Sequence, residues 1–200
     1  MSDRADSFEW AGGHAALDFV NTVDERPFPS PIENLATYAD LVKFVELAEL
    51  VEPALASELL RLDGGACSRV VEGARTLREH LYDILMAAHS ERPPHATDFK
   101  AISAAIQASH AARVLVTSPA PGLASHCWSP PVTHDIPLHA CSLAIEHLLV
   151  DQEQTRIRKC AASDCNVFFV DTSKMQRRHW CSMRGCGNRE KQRRWRSAPP

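Results

Sequence analysis

CAASDCNVFFVDTSKMQRRHWCSMRGC, from Cys160 to Cys186, holds four of the chain's seven cysteines in two matched pairs. Four residues separate Cys160 from Cys165, four separate Cys181 from Cys186, and fifteen lie between the pairs. Zinc takes soft ligands in a tetrahedron, and two short loops deliver two thiolates each with little loss of chain entropy. Cys160, Cys165, Cys181 and Cys186 are therefore expected to hold one structural zinc ion. Two disulfides or four separately buried thiols are the alternatives. A reducing compartment disfavours the first, and so small a segment has little interior for the second. A segment of this length cannot build a core without a staple, so metal binding and folding should be one event. Lys159, His179 and Arg184 lie near the ligands in sequence and favour thiolate, which leaves a redox-sensitive site open.

Outward from the cysteines, VFFVD (Val167–Asp171) reads as a strand, and RRHW (Arg177–Trp180) is expected to return antiparallel to it. Asn188 begins a polar helix on which Arg189, Arg193 and Arg196 recur at four and three, while Glu190 and Arg194 form a favourable i,i+4 pair. A cysteine pair, a hairpin, a second pair and a helix make the order of a treble clef. Charge follows the same boundary. Residues 156–200 carry twelve Lys or Arg against three acids, a net +9, while the preceding 155 residues carry a net −12. An acidic body with a basic module suggests a polyanion partner; docking of the two parts on each other is the other reading.

The chain has 200 residues, 44% of them hydrophobic and 24% charged, which suits a globular protein with a real core. No window nears the roughly 18 apolar residues that span a bilayer, and the first ten residues lack signal-peptide order, so a cytoplasmic location with no membrane partner is expected. The body, residues 1–154, reads as mainly α with one short β-hairpin. Expected helices run over 15–23, from Thr37 (its capping pattern favoured over Ser30), over 53–62, over 68–89 with Val70, Ala74, Leu77, Leu81, Leu85 and Ala88 inward, over 97–111 capped by Thr97 and Asp98, and over 138–151 with Leu143, His147 and Val150 on one side. RVLVTS and LASHCW, around Pro119-Ala120-Pro121-Gly122, form the hairpin. Residues 155–200 form the zinc module.

CSMRGCGNREK resembles the signature of the bacterial CGNR zinc fingers, with Cys186-Gly187-Asn188-Arg189 supplying the name. The preceding cysteine pair, VFFVD, DTSK and RR-x-W-C-S-M follow in the same order, and ALDFVNTV is similar to the ABATE domain that accompanies this finger. The resemblance implies a stress-linked transcription regulator, with zinc on the four cysteines and DNA contacts through the finger. His179 departs from the family pattern, where an Arg is expected, and Glu190 sits inside the presumed contact helix.

Charge and resemblance together make duplex DNA the expected partner. Arg189, Arg193 and Arg196 are expected inward on DNA, with Arg177, Arg178 and Arg184 on its backbone. The helical body is expected to sense a small-molecule effector or mediate homo-oligomer assembly; His14, Asp18 and Asn21 share one face and are candidate pocket residues, with a buried hydrogen-bonded cluster as the competing reading. An RNA-binding or ribosome-associated protein, with Trp195, Phe168 and Phe169 exposed for stacking, is one alternative function. An adaptor whose finger docks on an acidic surface is another. His126, Cys127, His134, His139 and Cys141 cluster in sequence without the spacing of a catalytic zinc centre. Four thiolates leave zinc no open position, so the chain is not expected to be an enzyme.

Overall fold

The structure is a computed structural model, and it describes residues 8–118, 122–150 and 156–197. The hairpin turn at Pro119-Ala120-Pro121 and the expected boundary near 151–155 lie outside these described residues. In chain order the elements are α1 (Ala15–Val20), β1 (Val23–Asp24), β2 (Ile32–Glu33), α2 (Tyr38–Leu47), α3 (Pro53–Leu59), α4 (Cys67–His89), α5 (Ala96–Ala111), β3 (Arg113–Thr117), β4 (Ala124–Trp128), α6 (Ile136–Val150), β5 (Ile157–Lys159), β6 (Phe168–Val170) and α7 (Asn188–Ser197). They form a mainly helical body with short antiparallel pairs, β1–β2, β3–β4 and β5–β6, followed by a four-cysteine cluster. Among the described residues no helix is long and apolar enough to cross a membrane. The compact units do not follow chain order: among the described residues one gathers those of 8–34 with those of 148–197, and the other gathers those of 35–147.

The 35–147 unit is built on α4, which packs against α2 and α5. Thr37 starts α2 with a complete capping box: its hydroxyl accepts from the Asp40 N–H, and the Asp40 carboxylate accepts from the Thr37 N–H at 2.7 Å. Pro53 opens α3, where its missing N–H costs nothing. The buried face of α4 follows the expected stripe except at its end, where Ala87 is buried and Ala88 is exposed. His95 rather than Thr97 stands at the start of α5, and Asp98 is buried in its first turn, 2.9 Å from His80 Nδ1. On α6 Ile136, Ala140, Cys141, Ala144, Ile145 and Leu148 are buried, whereas of the expected trio Leu143 is half-buried and His147 and Val150 are exposed. The hairpin forms as expected, pairing Arg113 with Trp128 through Thr117 with Ala124.

In the other unit, α1 has only six residues, far too few to hold together alone. Its persistence comes from burial of Ala16, Leu17, Phe19 and Val20. Gly12 makes the approach possible. Its N–H donates to Asp18 Oδ1 at 2.7 Å, and a Cβ at Gly12 would lie 2.8 Å from that same oxygen, so any larger residue would collide. The Gly12 carbonyl in turn accepts from the Val170 N–H of β6 at 2.8 Å.

The buried Asp18 carboxyl gives this unit a pH signature. Burial raises it from 3.8 to about 6, against the opposing pull of the Gly12 N–H. The folded state thus favours the proton, so the contribution is fully present below pH 3.8 and is lost as pH rises through 6. The full effect is about 3 kcal/mol, of which about 1.4 kcal/mol falls between pH 5 and pH 8, roughly. Asp18→Asn should flatten the stability–pH curve of the zinc-loaded protein by that amount over that window, read by amide hydrogen exchange in α1.

Candidate metal centre and its basic helix

The four cysteines are drawn together by three pieces of local structure. Strands β5 and β6 pair antiparallel, Ile157 with Val170 and Lys159 with Phe168, and so close the loop that carries Cys160 and Cys165. This differs from the expected pairing of VFFVD with RRHW: residues 177–180 are irregular, and the hairpin flanks the first cysteine pair rather than following it. The reason lies in Asp171 and Arg178. Buried Asp171 accepts from the backbone N–H groups of Ser173 and Arg178, both at 2.9 Å, which folds 171–178 into a tight loop. Hydrogen bonding from Ser173, with further help from Arg178, holds this carboxyl below the usual carboxylate range. The Arg178 side chain lies over the Phe169 ring at 4.3 Å and donates to the carbonyls of Trp180 and Cys181. Arg178, expected on the DNA backbone, is thus engaged within the finger.

The third piece is the wide turn Met183–Gly187 leading into α7. The Ser182 hydroxyl accepts from the Gly185 N–H at 3.2 Å, and the Gly187 N–H returns to the Ser182 carbonyl at 2.9 Å. A Cβ at Gly187 would meet Met183 Sδ at 3.0 Å and Trp180 at 3.4 Å, so a larger residue there would require the Met183 thioether to shift. Cys160, Cys165, Cys181 and Cys186 end up buried with Ala162 and Phe169, and Trp180 packs against them.

All four Sγ atoms lie within 4.8 Å of one another. Cys165 and Cys181 are 3.8 Å apart, Cys181 and Cys186 3.5 Å. A tetrahedron with metal–sulfur bonds of about 2.3 Å has edges of about 3.8 Å, so the donor set fits zinc. The spacing is far beyond a sulfur–sulfur bond of about 2.05 Å. Protons alone serve this cluster badly. Hydrogen bonds from Cys165 and Cys181 hold the Cys160 thiol far below its ordinary range, while Cys160 pushes Cys165 up to about 12 and raises Cys181 likewise. Each anion opposes the next, and a divalent cation bound among them would let all four ionise. The Cys181 N–H points at Cys160 Sγ at 3.5 Å and Arg189 Nη2 at Cys186 Sγ at 3.2 Å, which spread the remaining negative charge. Among the described residues no other group of three or more metal-ligating side chains gathers, so the cysteines and histidines of 126–141 form no second centre there.

Two further arginines expected on DNA, Arg189 and Arg193, are engaged within the finger. Asp164, between the first two cysteines, pairs with Arg189 at 3.2 Å and Arg193 at 2.6 Å, and Arg193 also reaches Ser163 and Glu190. Burial alone would raise the Asp164 carboxyl, but hydrogen bonds and charge from Arg189 and Arg193 outweigh it and hold it low. The latch ties α7 to the first cysteine loop, and charge bookkeeping in the sequence does not reveal it. Arg177, Arg184 and Arg196 are exposed, as are Lys191 and Arg194, which the sequence stripe omits. Phe168 and Phe169 are buried, so two of the three aromatics needed for the RNA-stacking alternative are withdrawn from solvent.

The three candidate pocket residues have separate tasks. His14 Nδ1 caps α1 by accepting from the Ala16 N–H, and Asp18 serves Gly12. Asn21 makes two buried bonds to Phe168, donating to its carbonyl at 2.8 Å and accepting from its N–H at 3.0 Å. Of the three, only Asn21 borders a cleft of about 500 Å³, whose walls include Asp24, Phe28, Asp164, Cys186 and Arg189.

A buried four-thiolate site closing onto a basic helix defines a zinc-finger protein. The finger matches the CGNR zinc finger over residues 156–198, and residues 13–152 match ABATE, described as "Putative stress-induced transcription regulator". The chain therefore belongs to the ABATE family and carries a C-terminal CGNR finger that holds one structural zinc ion. No curated protein matches it at a significant level.

Proposed function

We propose that the protein is a DNA-binding transcription regulator, in which zinc positions α7 on duplex DNA and the remainder of the chain senses a ligand or mediates assembly. The observation that carries the reading is the surface of the finger: Arg177, Arg184, Lys191, Arg194 and Arg196 are exposed, while its acids Asp164, Asp171 and Glu190 are turned onto internal partners. A surface of one sign suits phosphates, and the release of their counterions supplies affinity. The effector part of the reading draws on the cleft beside the metal centre, which lies in the size range of about 300–1,000 Å³ usual for small ligands. The reading is of a cytoplasmic binding protein and not of a catalyst.

Titrating the full-length protein onto duplex DNA across salt tests it. With five or six phosphates engaged, log affinity should fall against log salt with a slope of roughly −5. A slope near zero, or no duplex binding, would favour the adaptor reading. Asp164→Asn supplies a second measurement. It frees Arg189 and Arg193 while leaving the four ligands in place, so zinc content should hold and duplex affinity should rise several-fold, about 1 kcal/mol.

A further inference from the structure

We infer that Trp195 is a base-stacking residue, and that the duplex engaged by α7 is one opened locally to present unpaired bases. Trp195 is 88% exposed, on the same helix whose other side is latched to Asp164. Lys191 lies one turn before it and shares its face, Arg194 and Arg196 adjoin it in sequence, and Lys191, Gln192, Trp195 and Arg196 line a shallow apolar depression. The acid of α7, Glu190, is held by Arg193 and its side chain is only 18% exposed. Among the described residues no aromatic or cation–π partner covers the Trp195 indole.

The combination narrows the partner. Cations without a competing acid select a polyanion, and an uncovered indole between them selects one with flat π-faces, which a nucleobase on a phosphate backbone supplies. An acidic protein surface satisfies the cations but does not set a flat π-face beside each charge as a nucleic-acid strand does. In closed duplex the bases are stacked on each other and present only edges to a helix in the groove, so stacking on Trp195 requires a base that is out of the stack. The inference rests on the nucleic-acid reading above and deepens it.

The test uses the full-length, zinc-loaded protein with three DNA probes: a closed duplex, the same duplex with a short internal bubble, and the corresponding single strand, plus an RNA copy of that strand. Trp195→Ala, at an exposed position, should leave zinc content and circular dichroism unchanged. It should weaken bubble and single-strand binding by roughly 5- to 150-fold and closed-duplex binding by less than about 3-fold, with Trp195→Phe restoring most of the loss. Indole fluorescence of the native protein should be quenched by the bubble, and the quench should vanish in Trp195→Phe. Equal loss on all DNA probes, a loss that follows thymine content in closed duplex, or preference for the RNA strand overturns the stacking role. Absence of binding to every nucleic acid by the native protein overturns the nucleic-acid reading itself, and this inference with it.

Discussion

Cys181→Ser should release the zinc ion and unfold two stretches of chain that are far apart in sequence. A hydroxyl does not replace a thiolate on zinc, and three sulfurs leave the centre open. Apparent binding free energies of structural zinc run to about 10–16 kcal/mol near neutral pH, which exceeds what the small cluster around Phe169 and Trp180 can supply. Residues 156–197 should therefore lose protection from amide exchange. Because residues 8–34 share the finger's compact unit, α1 should lose protection with them, while α2 through β4 keep theirs. A strong chelator should reproduce the pattern in the native protein. Retention of one zinc per chain by the variant would refute the four-cysteine assignment.

Asn21→Ala is the second large effect. The amide satisfies both backbone groups of Phe168, which is itself 1% exposed. Alanine leaves a buried N–H and a buried carbonyl without that partner, each costing about 1–3 kcal/mol. The sum, roughly 2–6 kcal/mol, should appear as faster exchange at 168–170 and as weaker zinc retention against a graded chelator. Asn21→Asp separates the two bonds. It keeps the acceptor for the Phe168 N–H but sets a carboxylate against the Phe168 carbonyl, so it should rescue little. If Asn21→Ala retained zinc as well as the native chain, the amide would be a bystander to the finger's stability.

Much of the architecture was legible where short-range chemistry decides it. Thr37 and Asp40 announce a helix start within four residues, the β3–β4 hairpin declares itself by two β-branched runs, and the cysteine spacing identifies the metal. What escaped were choices made between distant residues. Nothing local says that Asn21 bonds a residue 147 positions away, or that β6 turns back to β5 because Asp171 folds the loop that was expected to be a strand. The arginine stripe on α7 was correct as a periodicity, yet Asp164 claims two of its members from outside the helix. Lys191 and Arg194, off the stripe, face solvent beside Arg196 and make no part of that latch.

The interleaving of the two units also bears on how the protein is made. A ribosome delivers residues 8–34 first and their companions 156–197 last. The 35–147 unit has its whole core in hand before residues 156–197 are made, but the earlier segment must wait, apolar Leu17 and Phe19 uncovered, until Cys186 emerges and metal is captured. Newly made chains in zinc-poor cells should thus exist half assembled, with a folded middle between two unpaired ends, and should be prime clients for chaperones and proteases.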